Sequence, residues 1–230
     1  MTVKLKPVSV TTRSNDTLDG ATFCGKAPRA KAVLLPGAGG SWQAEGLTFF
    51  AGLMATVGID TLVINLPHNQ QRRPPGAMAH SVAQLDALIN TFAVADLPLI
   101  VGGKSYGSRV ALTYAATTTR VAALIAYGFP LHALGTLKPR DTLLGAAAMP
   151  GLFVSGSRDP FGTAQQLHDA LERYAGDATQ ITVVGGDHDC AIRKKYAPDL
   201  TAHAPTAALT QHTDAITGWL LAVCDLVCDA

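Results

Sequence analysis

The chain has 230 residues, 48% of them hydrophobic and only 15% charged, so it holds ample material for a covered core and does not read as disordered. Lys and Arg total 18 against 17 Asp and Glu, a net charge of +1, which argues against a binder of duplex or other nucleic acid that works by basic excess. The longest charge-free apolar stretch near the centre, residues 121–131, falls short of the ~20 residues that span a bilayer, and the opening residues read as strand alternation rather than a leader.

In chain order, β-rich runs fall at 3–11, 21–24, 32–35, 61–66, 99–102, 121–127, 152–155 and 180–184. Segments of helical period lie between them at 44–57, 79–92, 105–116, 164–174 and 214–225. The runs at 32–35, 61–66, 99–102, 121–127 and 152–155 are almost continuously apolar, as expected of strands buried on both faces of a parallel sheet. Val82, Leu85, Leu88, Ile89 and Phe92 fall on one face of the second helix, and Thr163 can cap the start of the fourth. No helix separates the first two strands, so they are expected to form an antiparallel edge. The alternation elsewhere implies right-handed crossovers and an open, twisted α/β sheet with helices on both faces. Residues 200–211 read as a loop broken at Ala204 and Pro205. The length suits one α/β domain over residues 1–230.

Cysteines at 24, 190, 224 and 228 make neither a disulfide framework nor a zinc spacing, which points to a reduced, soluble, cytoplasmic protein. Cys224 and Cys228, four residues apart, fall with Trp219, Leu220, Val223 and Val227 on the buried face of the last helix rather than forming a redox pair.

Ligands of such a sheet meet the carboxyl ends of its strands. Gly103-Lys104-Ser105-Tyr106-Gly107 directly follows the apolar run 99–102 and precedes a helical segment. This G-x-S-x-G in strand–turn–helix context would expose Ser105 on a sharp turn and aim a helix N-terminus at the reaction centre. The same residues could end a phosphate-binding loop, but that motif needs glycine where Pro98 stands. A second strand end, Leu35-Pro36-Gly37-Ala38-Gly39-Gly40, could offer the N–H of Ala38 beside that of Tyr106 as an oxyanion hole. A tight strand-to-helix turn explains that segment equally well, whereas a dinucleotide fingerprint would need glycine in place of Trp42. Asp159 and His188 follow two later strands, so Ser105, Asp159 and His188 appear in nucleophile, orienter, base order. Alone, Asp159 reads as a turn residue and His188 as a loop histidine; together, each at the mouth of its own strand, they read as a triad. Asp187 and Asp189 are weaker partners for the histidine, and no further histidines have metal-site spacing.

His68 and His132 follow strands at the same mouth and could line a pocket, while Arg72 and Arg73 could attract a carboxylate or phosphate of the substrate. A solvated loop stiffened by Pro74 and Pro75 is the plainer reading of the arginines. Lys104 receives no role.

The motifs at 35–40, 102–111, 128–132, 153–162 and 185–190 together resemble a serine α/β-hydrolase over most of the chain. Within that superfamily the sequence is most similar to small dienelactone-hydrolase-like proteins of the testis-expressed protein thirty family. The resemblance implies an eight-stranded, mostly parallel sheet, Ser105 as nucleophile, His188 as general base and acid, and Asp159 as orienter. It also implies a small-molecule acyl substrate and no cofactor. Two departures stand out: Ser105 replaces the cysteine of the dienelactone hydrolases proper, so their lactone substrate does not carry over, and Pro36 replaces a histidine often found before the oxyanion glycine. Residues 128–151 leave room for a loop and one short helix but no lid. The expected activity is therefore hydrolysis of a small ester or related acyl compound. The alternative is a hydrolase-fold scaffold that binds partners through a vestigial site, and nothing in the sequence sets the oligomeric state.

Overall fold

The computed structural model describes residues 4–11, 16–93, 97–136, 142–196 and 205–228. Eight strands form one sheet in the order β1-β2-β4-β3-β5-β6-β7-β8. They are β1 (Lys4–Thr11), β2 (Thr17–Cys24), β3 (Ala30–Leu35), β4 (Ile59–Ile64), β5 (Leu99–Lys104), β6 (Val121–Tyr127), β7 (Gly151–Gly156) and β8 (Ala178–Val183). β1 and β2 pair antiparallel, as expected of strands joined without a helix, and β2 also runs antiparallel to β4. All remaining neighbours are parallel.

Because side chains alternate across each strand, the sheet carries two apolar cores. On one face Val33, Leu35 and Val101 meet Leu85, Leu88 and Ile89 of α3 (Met78–Phe92) and Val110 of α4 (Tyr106–Ala115). On the other, Ala32, Leu34 and Ile100 meet Phe50 and Met54 of α1 (Glu45–Thr56) and Ile216 and Leu220 of α7 (Thr213–Cys228). Cys224 and Val223 are buried on that α7 face, as its periodicity predicts; the side chains of Val227 and Cys228 lie outside the described residues. Thr163 caps α5 (Ala164–Leu171): its Oγ1 accepts the Gln166 N–H at 3.3 Å while Gln166 Oε1 accepts the Thr163 N–H at 2.9 Å.

Three expectations need correction. The segment 200–211 is not all loop, since residues 205–210 form α6 (Pro205–Thr210); residues 200–204 lie outside the described residues. Pro205 starts that helix instead of breaking the chain, because a first-turn residue needs no N–H partner. β2 begins at Thr17 rather than Ala21, drawn out by its full pairing with β1. β4 ends at Ile64 rather than Leu66, and Pro67 opens the short helix α2 (Pro67–Gln70) in place of the expected loop. Between β6 and β7 the described residues hold one turn of 3-10 helix, Leu144–Ala146, and no cap domain is built there.

Phe153 on β7 is fully buried and meets the rings of Phe129 and Tyr174 edge-on, with centroids 6.1 and 5.3 Å away. Phe153→Ala should lower unfolding free energy by about 3–5 kcal/mol, measured by urea denaturation, because the surrounding rings cannot close the cavity.

Candidate active site

Ser105 stands between β5 and α4 with φ +52° and ψ −113°, a left-handed conformation that an L-residue adopts only under constraint. The constraint comes from below. A Cβ on Gly103 would overlap the Leu35 carbonyl oxygen, and one on Gly107 would overlap that oxygen and lie 2.6 Å from the Pro36 carbonyl oxygen. Glycine at both positions lets the turn press onto β3, and the Ser105 N–H donates to the Tyr127 carbonyl at 2.9 Å. The hydroxyl is thereby carried at the carboxyl edge of the sheet.

His188 reaches the same edge on the turn after β8. Its Nε2 lies 2.8 Å from Ser105 Oγ and its Nδ1 lies 2.8 Å from Asp159 Oδ2. Asp159, on the turn after β7, is 2% exposed, and its Oδ1 accepts the Phe161 N–H at 2.8 Å. With the proton on Nδ1 donated to Asp159, Nε2 is free to accept the Ser105 hydroxyl proton. The two turns meet where a Cβ on Gly156 would overlap the carbonyl oxygens of Gly186 and Asp187. The Phe161 ring lies against the imidazole, centroids 4.4 Å apart. Asp187 turns away from the imidazole, its Oδ1 accepting the N–H groups of Asp189 and Ala191, and Asp189 pairs with Lys104. Of the three carboxylates, Asp159 alone holds the ring among the described residues.

Ala38 lies on the turn after β3, and Tyr106 is the first residue of α4, where the N–H has no acceptor within its own helix. A Cβ on the adjacent Gly37 would lie 3.5 Å from Ser105 Cβ, so this turn abuts the hydroxyl. The sequence alone did not single out the residue that shapes it. Asn69, 8% exposed, donates through Nδ2 to the carbonyls of Gly37, Ala38 and Gly40 at 2.8, 3.3 and 3.2 Å. Its Oδ1 accepts the Leu66 N–H, and the neighbouring Asn65 Oδ1 accepts the Trp42 N–H at 2.8 Å. The signal available was a run of amides directly after a strand, at the sheet edge where ligands bind. Collecting three carbonyls on one amide orders the turn without filling the space above it.

The other expected residues divide. Arg72, itself at φ +52°, and Arg73 line a cleft of about 700 Å³ with Ala38, Gly39 and Gly40. His68 is buried beneath that loop, its ring edge-on to Tyr106 at 5.4 Å, and burial pushes its pKa below the ordinary histidine value. It faces a separate groove with Arg73 and Ser81. His132 reaches neither cleft; its N–H donates to the Phe161 carbonyl at 3.1 Å, which steadies the segment lying on His188. A separate cleft of about 480 Å³ is bounded by Phe161, His188, Arg158 and Tyr196. Cys190, directly after this turn's histidine and aspartate, is buried and its thiol pKa is raised by that burial, so it is no ready nucleophile. Among the described residues no helix is long and apolar enough to cross a membrane, and no group of three or more His, Cys, Asp or Glu could hold a metal ion.

A family model described as an alpha/beta hydrolase domain matches residues 28–217. No curated protein sequence matches the chain. Solved structures match it along nearly all its length. The dienelactone hydrolase from Anabaena variabilis superposes with a TM-score of 0.71 at 19% identity, covering 96% of this chain and 98% of that one. An alpha-beta serine hydrolase homologue from Coxiella burnetii gives 0.71 at 15% identity, covering 94% and 96%. The esterase domain of a Rhodothermus marinus protein gives 0.69 at 14%, covering 95% and 98%. At such identities these structures establish the fold.

Asn69→Ala should lower stability by about 1–3 kcal/mol, because it leaves the buried Leu66 N–H without its acceptor and removes the amide's bonds to three turn carbonyls. Hydrogen exchange should show faster exchange confined to the turn at 37–42.

Proposed function

The chain belongs to the alpha/beta hydrolase domain family, and on that premise we propose that it is a serine hydrolase cleaving a small carboxylic ester or related acyl compound. The observation that carries this reading is the hydrogen-bonded line from Asp159 through His188 to Ser105, two links of 2.8 Å each. Residues 1–230 act in this reading as one such domain, and its motif pattern resembles that of the dienelactone-hydrolase-like proteins of the testis-expressed protein thirty kind.

The steps follow from the groups present. Ser105 Oγ attacks the acyl carbon as His188 Nε2 takes its proton, and the buried Asp159 carboxylate stabilises the imidazolium so formed. The carbonyl oxygen becomes an oxyanion between the N–H groups of Ala38 and Tyr106, at the N-terminal end of α4 where negative charge is favoured. His188 then gives its proton to the departing alcohol, which leaves an acyl group on Ser105. A water molecule repeats the attack, His188 again taking and returning a proton, and the acid is released. No step needs a metal or an organic cofactor.

The open edge of the sheet favours small, soluble substrates over long lipids. The cleft beside Ala38 carries Arg72 and Arg73, and among the described residues neither is held by an acidic side chain. Arg73 does engage the Gln71 amide. An acyl group ending in a carboxylate or phosphate would meet both guanidinium groups there.

Ser105→Ala should lower kcat on a simple aryl ester by several orders of magnitude with the fold unchanged, and the parent protein should be labelled at Ser105 by a fluorophosphonate. Full activity in Ser105→Ala, or no labelling of the folded parent, would instead favour a partner-binding scaffold. Joint replacement of Arg72 and Arg73 by alanine should reduce kcat/KM for a half-ester of a dicarboxylic acid by about tenfold, while a neutral ester of equal length changes little. Equal effects on both esters would remove the anion preference.

A further inference from the structure

Lys104 is the last residue of β5 and immediately precedes Ser105, yet its side chain turns inward and is only 15% exposed. Its Nζ lies 2.6 Å from Oδ1 of Asp189, the residue that follows His188. In the sheet register Lys104 is paired with Tyr127 on β6. The Tyr127 hydroxyl donates to the backbone carbonyl of that same Asp189. Two cross-strand neighbours thus hold one residue, one by its carboxylate and the other by its main chain.

Tyr127 also ties this hold to the nucleophile, because its own carbonyl accepts the Ser105 N–H at 2.9 Å. Space for the arrangement is cleared by glycine. A Cβ on Gly46 would overlap the Tyr127 ring, and one on Gly128, at φ +57°, would lie 2.7 Å from the His188 carbonyl oxygen. Stability does not account for the ion pair. Asp189 is 57% exposed, and a pair with one solvated partner contributes little, whereas drawing an ammonium out of water is costly. The geometry it fixes is the better explanation.

We infer that Lys104 and Tyr127 clamp Asp189 at two points and act as positioning residues, keeping His188 Nε2 within hydrogen-bond reach of Ser105 Oγ. This rests on the serine-hydrolase reading above. The clamp adds what the Asp159 contact cannot. Asp159 fixes one end of the imidazole, and the hydrogen bond from the Arg158 N–H to the Gly186 carbonyl holds the turn on the near side of His188. Gripping residue 189 fixes the far side, and a displacement of about 1 Å at a proton-transfer pair can cost on the order of a hundredfold in rate.

The test uses the full chain and an aryl acetate, with kcat, KM and thermal midpoint measured for Lys104→Met, Asp189→Asn, Tyr127→Phe and the Lys104→Met/Asp189→Asn double variant. Each single change should lower kcat by about tenfold or more while KM stays within twofold, the signature of misplaced proton transfer rather than lost binding. The double variant should be no slower than the slower of its two parents, because either change already opens the same contact. Asp189→Asn alters an exposed side chain and Tyr127→Phe removes only a hydroxyl, so both remain informative if Lys104→Met does not fold. Losses in kcat that are additive, that merely follow the thermal midpoint, or that stay within twofold overturn the clamp. Ser105→Ala separates this from failure of the underlying reading. Activity retained in that variant sinks the serine mechanism itself, whereas activity lost there but unchanged in the clamp variants sinks the clamp alone.

Discussion

The site depends on how closely one turn of backbone can lie against one strand. Gly103 and Gly107 let the β5–α4 turn rest directly on the carbonyl oxygens of Leu35 and Pro36. That contact drives Ser105 into its left-handed conformation and sets the first N–H of α4 beside the turn that carries Ala38. Any side chain at either glycine would lift the helix off β3 and separate the hydroxyl from the adjoining N–H groups. A strained residue persists only where its surroundings over-determine it. Here the two apolar cores do so, burying both faces of β3 and β5 to near completion.

Around this fixed point the remaining groups arrive on loops, and polar contacts rather than apolar packing place them. Gly156 lets the turns bearing Asp159 and His188 touch through their main chains, and Asn69 gathers three carbonyls of the Ala38 turn on one amide. Lys104 and Tyr127 hold the residue after His188. Among the described residues no cap domain is built between β6 and β7.

Relatives of known structure share under a fifth of their residues with this chain yet superpose along nearly its whole length. The common element is the sheet and its two helical layers. On this chain's loops at the same sheet edge, Arg72 and Arg73 lie beside the turn that carries Ala38, Arg158 stacks on Tyr196 near His188, and Lys104 immediately precedes Ser105.

The sequence by itself determined the features that depend on near neighbours in the chain. Continuous apolar runs mark strands covered on both faces, the 3.6-residue period marks the helices, and paired glycines around Ser105 mark a turn too tight for side chains. The order Ser105, Asp159, His188 was equally legible, since each follows its own strand. Tertiary structure alone decided what depends on distant segments meeting. Asp187 and Asp189 lie closer to His188 in sequence than Asp159 does, yet β7 pairing beside β8 is what brings Asp159 to its Nδ1. Asn69 and Lys104 look like ordinary polar loop and turn residues until β3 beside β4 brings the Ala38 turn to Asn69, and the fold brings the turn after β8 to Lys104. The early start of β2 and the helix at Pro205 were hidden for the same reason. Local propensity is weak there, and pairing with β1 or packing against α1 outweighs it.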